Sequence, residues 1–159
     1  MQDDYRNIYQ SARRTAGLTQ ERWAEVLGIS VEAVRLYETG QNMPGDGVVL
    51  RMAEVAGQHI ICYWHLLNKS RVAAGILPEI TEKALPEAVL DLLVKLRNFS
   101  EDGMQELLRI AADGEVSPEE REAYDFALRQ LRAVVAAGLH VEYAKGGGKD
   151  GVHHQTAGG

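Results

Sequence analysis

A single cysteine, Cys62, occurs in 159 residues, so no disulfide can close within the chain and the usual cysteine-based zinc sites are excluded. Proline is scarce, at 4, and aromatic residues make up 6%. With so few chain breakers beside abundant Ala, Leu, Glu and Arg, the first expectation is an all-α protein. Long hydrophobic runs are lacking too. The most apolar stretch, Ile60 to Leu67, is IICYWHLL, far short of the ~20 residues that cross a bilayer. The opening MQDDYRNIYQ has no apolar run of the kind a secretory leader needs, and a cytoplasmic protein with no membrane contact is expected. Positive charge is also short. Net charge is −6, and residues 1–58 hold six arginines and no lysine against eight Asp and Glu.

Catalytic and metal signatures are equally thin. No nucleotide loop or hydrolase elbow is present. Asp113-Gly114-Glu115 resembles part of a calcium loop but lacks its alternating ligands, and reads as a tight turn. His59 and His65, six residues apart, fall on different faces of a helix and are not read as a zinc pair. No basic neighbour activates Cys62. No enzyme, cofactor or metal is expected.

The helical pattern is what remains, and it is rich. A first helix is expected from about Asp4 to Ala16, with Ile8, Ala12 and Tyr5 inward, Arg13 and Arg14 at its negative end and Gly17 as its stop. Two short helices follow, Gln20 to Leu27 and Val31 to Thr39, separated by Gly28 and ended by Gly40. Thr19 and Ser30 can cap them, because a hydroxyl accepts from the orphan N–H groups of a first turn. Gly28 sits where the turn needs φ > 0, and Ala24 where the two helices approach. Trp23, Leu27, Ile29, Val34 and Tyr37 fall where such a pair buries side chains. This is helix-turn-helix spacing. Asp46 is expected to cap a fourth helix, with Val49, Met52, Ala53 and Ala56 inward, and a fifth runs from about His59 to Arg71.

Residues 72–86, with Gly75, Pro78 and Pro86, read as a connector. A helix from Pro86 to about Asn98 should turn Val89, Leu92, Leu93, Leu96 and Phe99 inward, and one from Glu101 to Ala112 should present Met104, Leu107, Leu108 and Ala111. Ser117-Pro118-Glu119-Glu120 is a capping box with Pro at the first helical position. It opens the longest helix, whose stripe is Tyr124, Ala127, Leu128, Leu131, Val134 and Val135. The Gly-rich end, residues 145–159, is expected to be disordered, and His153-His154 within it is not a designed metal site.

The segment from about Tyr5 to Gly57 resembles the lambda-repressor-like, Cro-type (XRE) domain. The resemblance rests on Arg13-Arg14, Gly17-Leu18-Thr19-Gln20, Ala24, Leu27-Gly28-Ile29-Ser30, Tyr37-Glu38-Thr39-Gly40 and Pro44. It implies a five-helix domain over residues 1–71 that binds double-stranded DNA, usually as a dimer and usually to regulate transcription. It also implies a buried structural ion pair between Arg13 and Glu38. Thr19 and Gln20 would meet DNA at the start of the second helix, where a helix N-terminus favours phosphate. Ser30, Val31, Glu32, Arg35 and Leu36 would face the bases, and Thr39, Gln41 and Asn42 the backbone.

The chemistry of that set is unusual. Val31 and Leu36 can offer only apolar contacts, as to thymine methyls; Glu32 can accept from a cytosine amino group, and Arg35 can pair with guanine or phosphate. Leu36 could equally pack against the domain or a partner, Glu32 could simply serve the helix dipole, and Arg14 could contact phosphate or stay solvated. The Lys or Arg usual in the phosphate-gripping loop is missing. Residues 87–144 are expected to form a helical region that makes a homodimer, through a contact including Leu128, Leu131 and Val135. The competing reading is a protein-interaction module that keeps the helix-turn-helix scaffold and no longer binds DNA.

Overall fold

The computed structural model describes residues 8–145. The start expected for the first helix before Ile8, and the tail from residue 146, lie outside the described residues. Among these the protein is all-α, with one isolated bridge between Ala84 and Lys145 and no strand. It divides into two compact units, Met1–Leu77 and Pro78–Gly159.

The first unit holds α1 (Ile8–Thr15), α2 (Gln20–Leu27), α3 (Val31–Glu38), α4 (Asp46–Ala56), α5 (Ile60–Lys69) and α6 (Arg71–Ile76). Local chemistry sets its boundaries. The Thr19 hydroxyl accepts from the Arg22 N–H at 3.2 Å and starts α2; Ser30 does the same for α3, accepting from Ala33 at 3.1 Å. Gly28 ends α2 at φ 67°, a conformation that costs other residues ~1–2 kcal/mol. An added Cβ there would meet nothing within 4 Å, so glycine is needed for its backbone and not for space.

These helices close over one core in which Trp23, Leu27, Val34, Val49, Met52 and Ile61 are at most 1% exposed. At ~25 cal/mol per Å² and ~150–250 Å² for a buried aromatic, Trp23 alone contributes up to about 4–6 kcal/mol of transfer free energy. Tyr9 joins this core at 3% exposure, a position the expected stripe of the first helix passed over.

Two boundaries differ from expectation. Gly45, not Asp46, occupies the cap position of α4, and Asp46 is its first helical residue. Its side chain turns instead to α5, where Lys69 and His65 hold it. The fifth helix stops at Lys69 because Ser70 is extended, and the Ser70 hydroxyl caps a new helix by accepting from Ala73. The stretch 72–86 therefore begins inside α6, a six-residue helix that buries none of its residues.

The second unit contains α7 (Leu85–Asn98), a π-helical turn (Phe99–Gly103), α8 (Met104–Ile110) and α9 (Arg121–Glu142). Pro86 sits in the first turn of α7, where its missing N–H costs nothing. Ser117 and Glu120 form a reciprocal capping box as expected, but Pro118 is not the first helical residue: residues 118–120 form a turn and α9 begins at Arg121. The Lys145 N–H donates to the Lys83 carbonyl at 2.9 Å.

Here the inward faces depart from the expected stripes. α7 packs along α9, and the fully buried helical residues are small: Ala88, Ala127 and Ala137, at 0–1% exposure. Alanines let the helices approach closely, and the larger apolar residues are turned outward. Leu93 is 57% exposed, Val135 49%, Leu96 43% and Leu131 36%. Val89, Met104 and Leu108 are exposed as well. The α8 residue buried in their place is Ile110.

Candidate nucleic-acid interface

The angle between α2 and α3 is fixed at both ends of the turn. Gly28 and Ile29 donate backbone N–H bonds to Glu25 and Ala24 at 3.2 and 3.0 Å. Val34 and Glu38 anchor the inner side of α3, at 1% and 6% exposure.

Glu38 is the polar centre of the arrangement. Its carboxylate accepts from Arg13 Nε at 2.5 Å and Nη2 at 3.0 Å, from Gln20 Nε2 at 2.8 Å, and from Gln10 Nε2 at 3.5 Å. Burial pushes the Glu38 carboxyl up, but the bonds from Arg13 and Gln20 outweigh it and hold the group below the usual carboxylate range. Arg13 spends another N–H on the Leu18 carbonyl at 2.8 Å, and its side chain is 13% exposed. One carboxylate thus ties α3 to α1 and α2, and Arg13 is committed inside the domain.

Sequence reasoning did not find the Gln10 and Gln20 contacts. They span 28 and 18 residues, and no local spacing signals them. One N–H of the Gln20 amide is occupied by Glu38, which leaves its second N–H and its carbonyl oxygen for another partner.

The outer side of α3 carries Ser30, Glu32 and Arg35, all exposed. The Glu32 and Arg35 side chains are 68% and 57% exposed and 3.8 Å apart, a loose pair that a competing ligand can break. Val31 and Leu36 are half-buried, and Val31 packs on the core. Thr39 is exposed and donates its hydroxyl to the Arg35 carbonyl at 2.8 Å. The N–H groups of Gln41 and Asn42 both donate to the Leu36 carbonyl, and Asn42 Oδ1 accepts from the Met43 N–H. The exposed loop after α3 is therefore held by its own bonds. Exposed Thr19 is occupied as the α2 cap.

Cations on this unit are few. Arg22 pairs with Glu25 at 2.5 Å, and Arg51 donates to the Leu27 carbonyl. Arg14 is exposed at the end of α1. Cys62 is half-buried, and burial pushes its thiol up, away from nucleophilic chemistry. No helix among the described residues is long and apolar enough to cross a membrane.

Residues 10–59, just under a third of the chain, match the sequence family described as a helix-turn-helix domain. The chain matches no curated protein and no solved structure. The matched segment runs from α1 to the start of α5 and carries the capped helices, the left-handed Gly28 and the outward face of α3. Residues 10–59 are thereby identified as a helix-turn-helix domain of the Cro-type (XRE) kind, which suggests DNA binding.

Proposed function

We propose that the protein is a cytoplasmic, sequence-specific transcriptional regulator that reads double-stranded DNA as a homodimer and performs no catalysis of its own. Residues 1–71 form its DNA-binding part. α3 enters the major groove with Ser30, Glu32 and Arg35 toward base edges and Val31 and Leu36 toward thymine methyls. Thr19, Gln20, Thr39, Gln41 and Asn42 meet the backbone. The observation carrying this reading is the two-sided α3: its inner face is locked by Val34 and Glu38, while Glu32 and Arg35 on the outer face are more than half exposed.

The dimer reading rests on the second unit. Along α9, Tyr124, Leu128, Leu131 and Val135 follow the 4-3-4 spacing of a helix seam; Tyr124 and Leu128 are half-buried, Leu131 and Val135 exposed. A second copy packed on this seam would join two α3 helices in one particle, as an operator with half-sites one turn (~34 Å) apart requires, and compensate for a weak half-site.

Enrichment of a bound sequence from a random DNA pool tests the reading. Arg35→Ala should cost ~1–3 kcal/mol of specific binding and relax the sequence choice. With six arginines and no lysine in residues 1–58, log K should fall with log salt less steeply than a slope of roughly −10. Light scattering should find a dimer for the full chain and a folded monomer for a chain ended after Leu77. Unaltered binding by Arg35→Ala, or a monomeric full chain at high micromolar concentration, would remove the respective half of the proposal.

The acidic balance of residues 1–58, together with the pairing of Arg22 to Glu25 and Arg35 to Glu32, favours one second reading: a protein-interaction module on the same scaffold. It predicts no enriched DNA sequence and no loss on raising salt.

A further inference from the structure

Within the first unit, α4, α5 and α6 frame an open groove of 630 Å³, inside the ~300–1,000 Å³ range of small-molecule sites. Its walls include Leu50, Leu66 and Val72, large apolar side chains left 56%, 45% and 71% exposed. Asp46, His65, Lys69 and Arg71 are the charged and titratable side chains that join them in the lining, with Cys62 beside them.

The polar groups at the floor of the groove are mutually satisfied. Asp46 Oδ1 receives Lys69 Nζ at 2.5 Å and His65 Nε2 at 3.2 Å. The Lys69 bond first, and then His65, hold the Asp46 carboxyl below its usual range. An ionised carboxylate can only accept, so Nε2 of His65 carries the hydrogen. In the neutral ring Nδ1 then accepts, and the Tyr9 hydroxyl donates to it at 2.8 Å. His65 is 5% exposed, so this chain closes the inner side.

Apart from Asp46 Oδ2, beside the oxygen that Lys69 and His65 share, the spare bonding capacity at the rim is cationic. Lys69 uses one of its three donors on Asp46. The Arg71 side chain makes no hydrogen bond or ion pair among the described residues. Unused cationic donors beside an uncovered apolar wall specify an anionic head joined to an apolar body.

We propose that this groove binds a small amphipathic carboxylate, an acyl or aryl acid, with its head between Lys69 and Arg71 and its body on Leu50, Leu66 and Val72. Resting on the regulator reading, the consequence is release of DNA. The Lys69 and Asp46 side chains are 47% and 71% exposed, so their pair is weak and exchangeable. A bound carboxylate draws Lys69 away and leaves the Asp46 charge uncompensated. Asp46 opens α4 directly after the loop proposed to face phosphate, so its bare charge opposes the DNA backbone.

Titration of the full-length, ¹⁵N-labelled protein with octanoate tests this, with octanol and octylamine as companion probes and amide shifts as the readout. Octanoate should shift α4, α5 and α6 amides saturably, octanol about tenfold more weakly, and octylamine not at all. Arg71→Ala and Lys69→Met should each weaken octanoate about tenfold while thermal melting stays unchanged. Asp46→Asn should tighten it several-fold by removing the competing carboxylate. Equal binding of octylamine, shifts that never saturate, or shifts that track protein concentration because a second copy fills the groove would each overturn the proposal. So would an Arg71→Ala protein that binds as well as wild type. With a selected DNA fragment, saturating octanoate should lower affinity at least threefold in wild type and leave Asp46→Asn unaffected. An unchanged wild-type affinity would overturn the coupling. Failure to bind any DNA fragment would count against the regulator reading alone, since the octanoate titration decides the groove by itself.

Discussion

The two units of this protein use apolar residues in opposite ways. In the first, the largest side chains are innermost: Trp23, Leu27, Met52, Ile60 and Ile61 are at most 1% exposed. In the second, the innermost helical residues are mostly alanines, and Leu90, Leu93 and Leu108 stand 57–64% exposed. Yet α9, at 22 residues, is the longest helix of all. Helix length and apolar content therefore do not measure how complete a core is. The first unit encloses its bulkiest side chains and leaves large apolar residues such as Leu50, Leu66 and Val72 open along the α4–α6 groove, whereas the second buries a narrow seam of small residues and leaves a wider apolar arc open. Such arcs in a stable protein mark interaction surfaces.

The sharpest test of this contrast is truncation on each side of it. Trp23→Ala should destabilise the first unit by ~3–5 kcal/mol, since it empties a fully enclosed site. Leu93→Ala should change monomer stability by no more than about 0.5 kcal/mol. Chemical denaturation of both variants measures the difference, and equal losses would end the comparison.

Glu38 provides the next test, of the polar half of the first core. Glu38→Gln should cost ~1.5–3 kcal/mol, the scale of hydrogen bonds to a charged group. The carboxyl is held below its ordinary 4.5. Its contribution is thus complete above that value and is lost as pH falls through the lower folded one. Acid denaturation of Glu38→Gln should accordingly show a flatter limb below pH 4.5 than wild type.

In the second unit, a Cβ on Gly103 would lie 2.8 Å from both Gln130 Oε1 and Phe99 Cδ2. Gly103→Ala should cost ~1–3 kcal/mol by overpacking, with the loss seen in the melting of this unit alone. His140 gives the smallest effect. Its Nε2 accepts the Thr81 N–H at 3.2 Å and so must be unprotonated there, while its buried Nδ1 has no partner among the described residues. Burial, and then the charge of Lys83, hold its pKa below 6.5. With the folded value depressed, the stabilisation is full above 6.5 and fades as pH falls through the folded value. The second unit should weaken by less than ~1 kcal/mol on acidification, and His140→Gln, an acceptor that does not titrate, should flatten that response.

Legibility in the sequence followed the range of the interactions. The α2–α3 pair could be read because its signals are local: Thr19 and Ser30 as caps, Gly28 in the left-handed region, and Trp23, Leu27 and Val34 at helical spacing. The contacts of Glu38 with Gln10 and Gln20, and of His65 with Tyr9 and Asp46, span 18 to 56 residues. No periodicity encodes them. The break at Ser70 was hidden because a cap residue inside an apolar run does not announce whether it is used. In α7, spacing identified an apolar arc but not which part of it is covered. The arc runs well past the side on which Ala88 meets α9, so Val89, Leu93 and Leu96 were placed inside when they lie outside.

The π-helical turn Phe99–Gly103 bears on that last difficulty. In it the Met104 N–H donates back to the Phe99 carbonyl, five residues earlier, where an α-helix reaches back four. The extra residue retards the winding by about one position, or ~100°. Every side chain downstream is dealt to a different compass bearing than an unbroken helix would give it. The segment behaves like a vernier between two scales: removing one residue from 99–103 would leave the composition of α8 almost unchanged while exchanging which of Leu107, Leu108 and Ile110 meets α9.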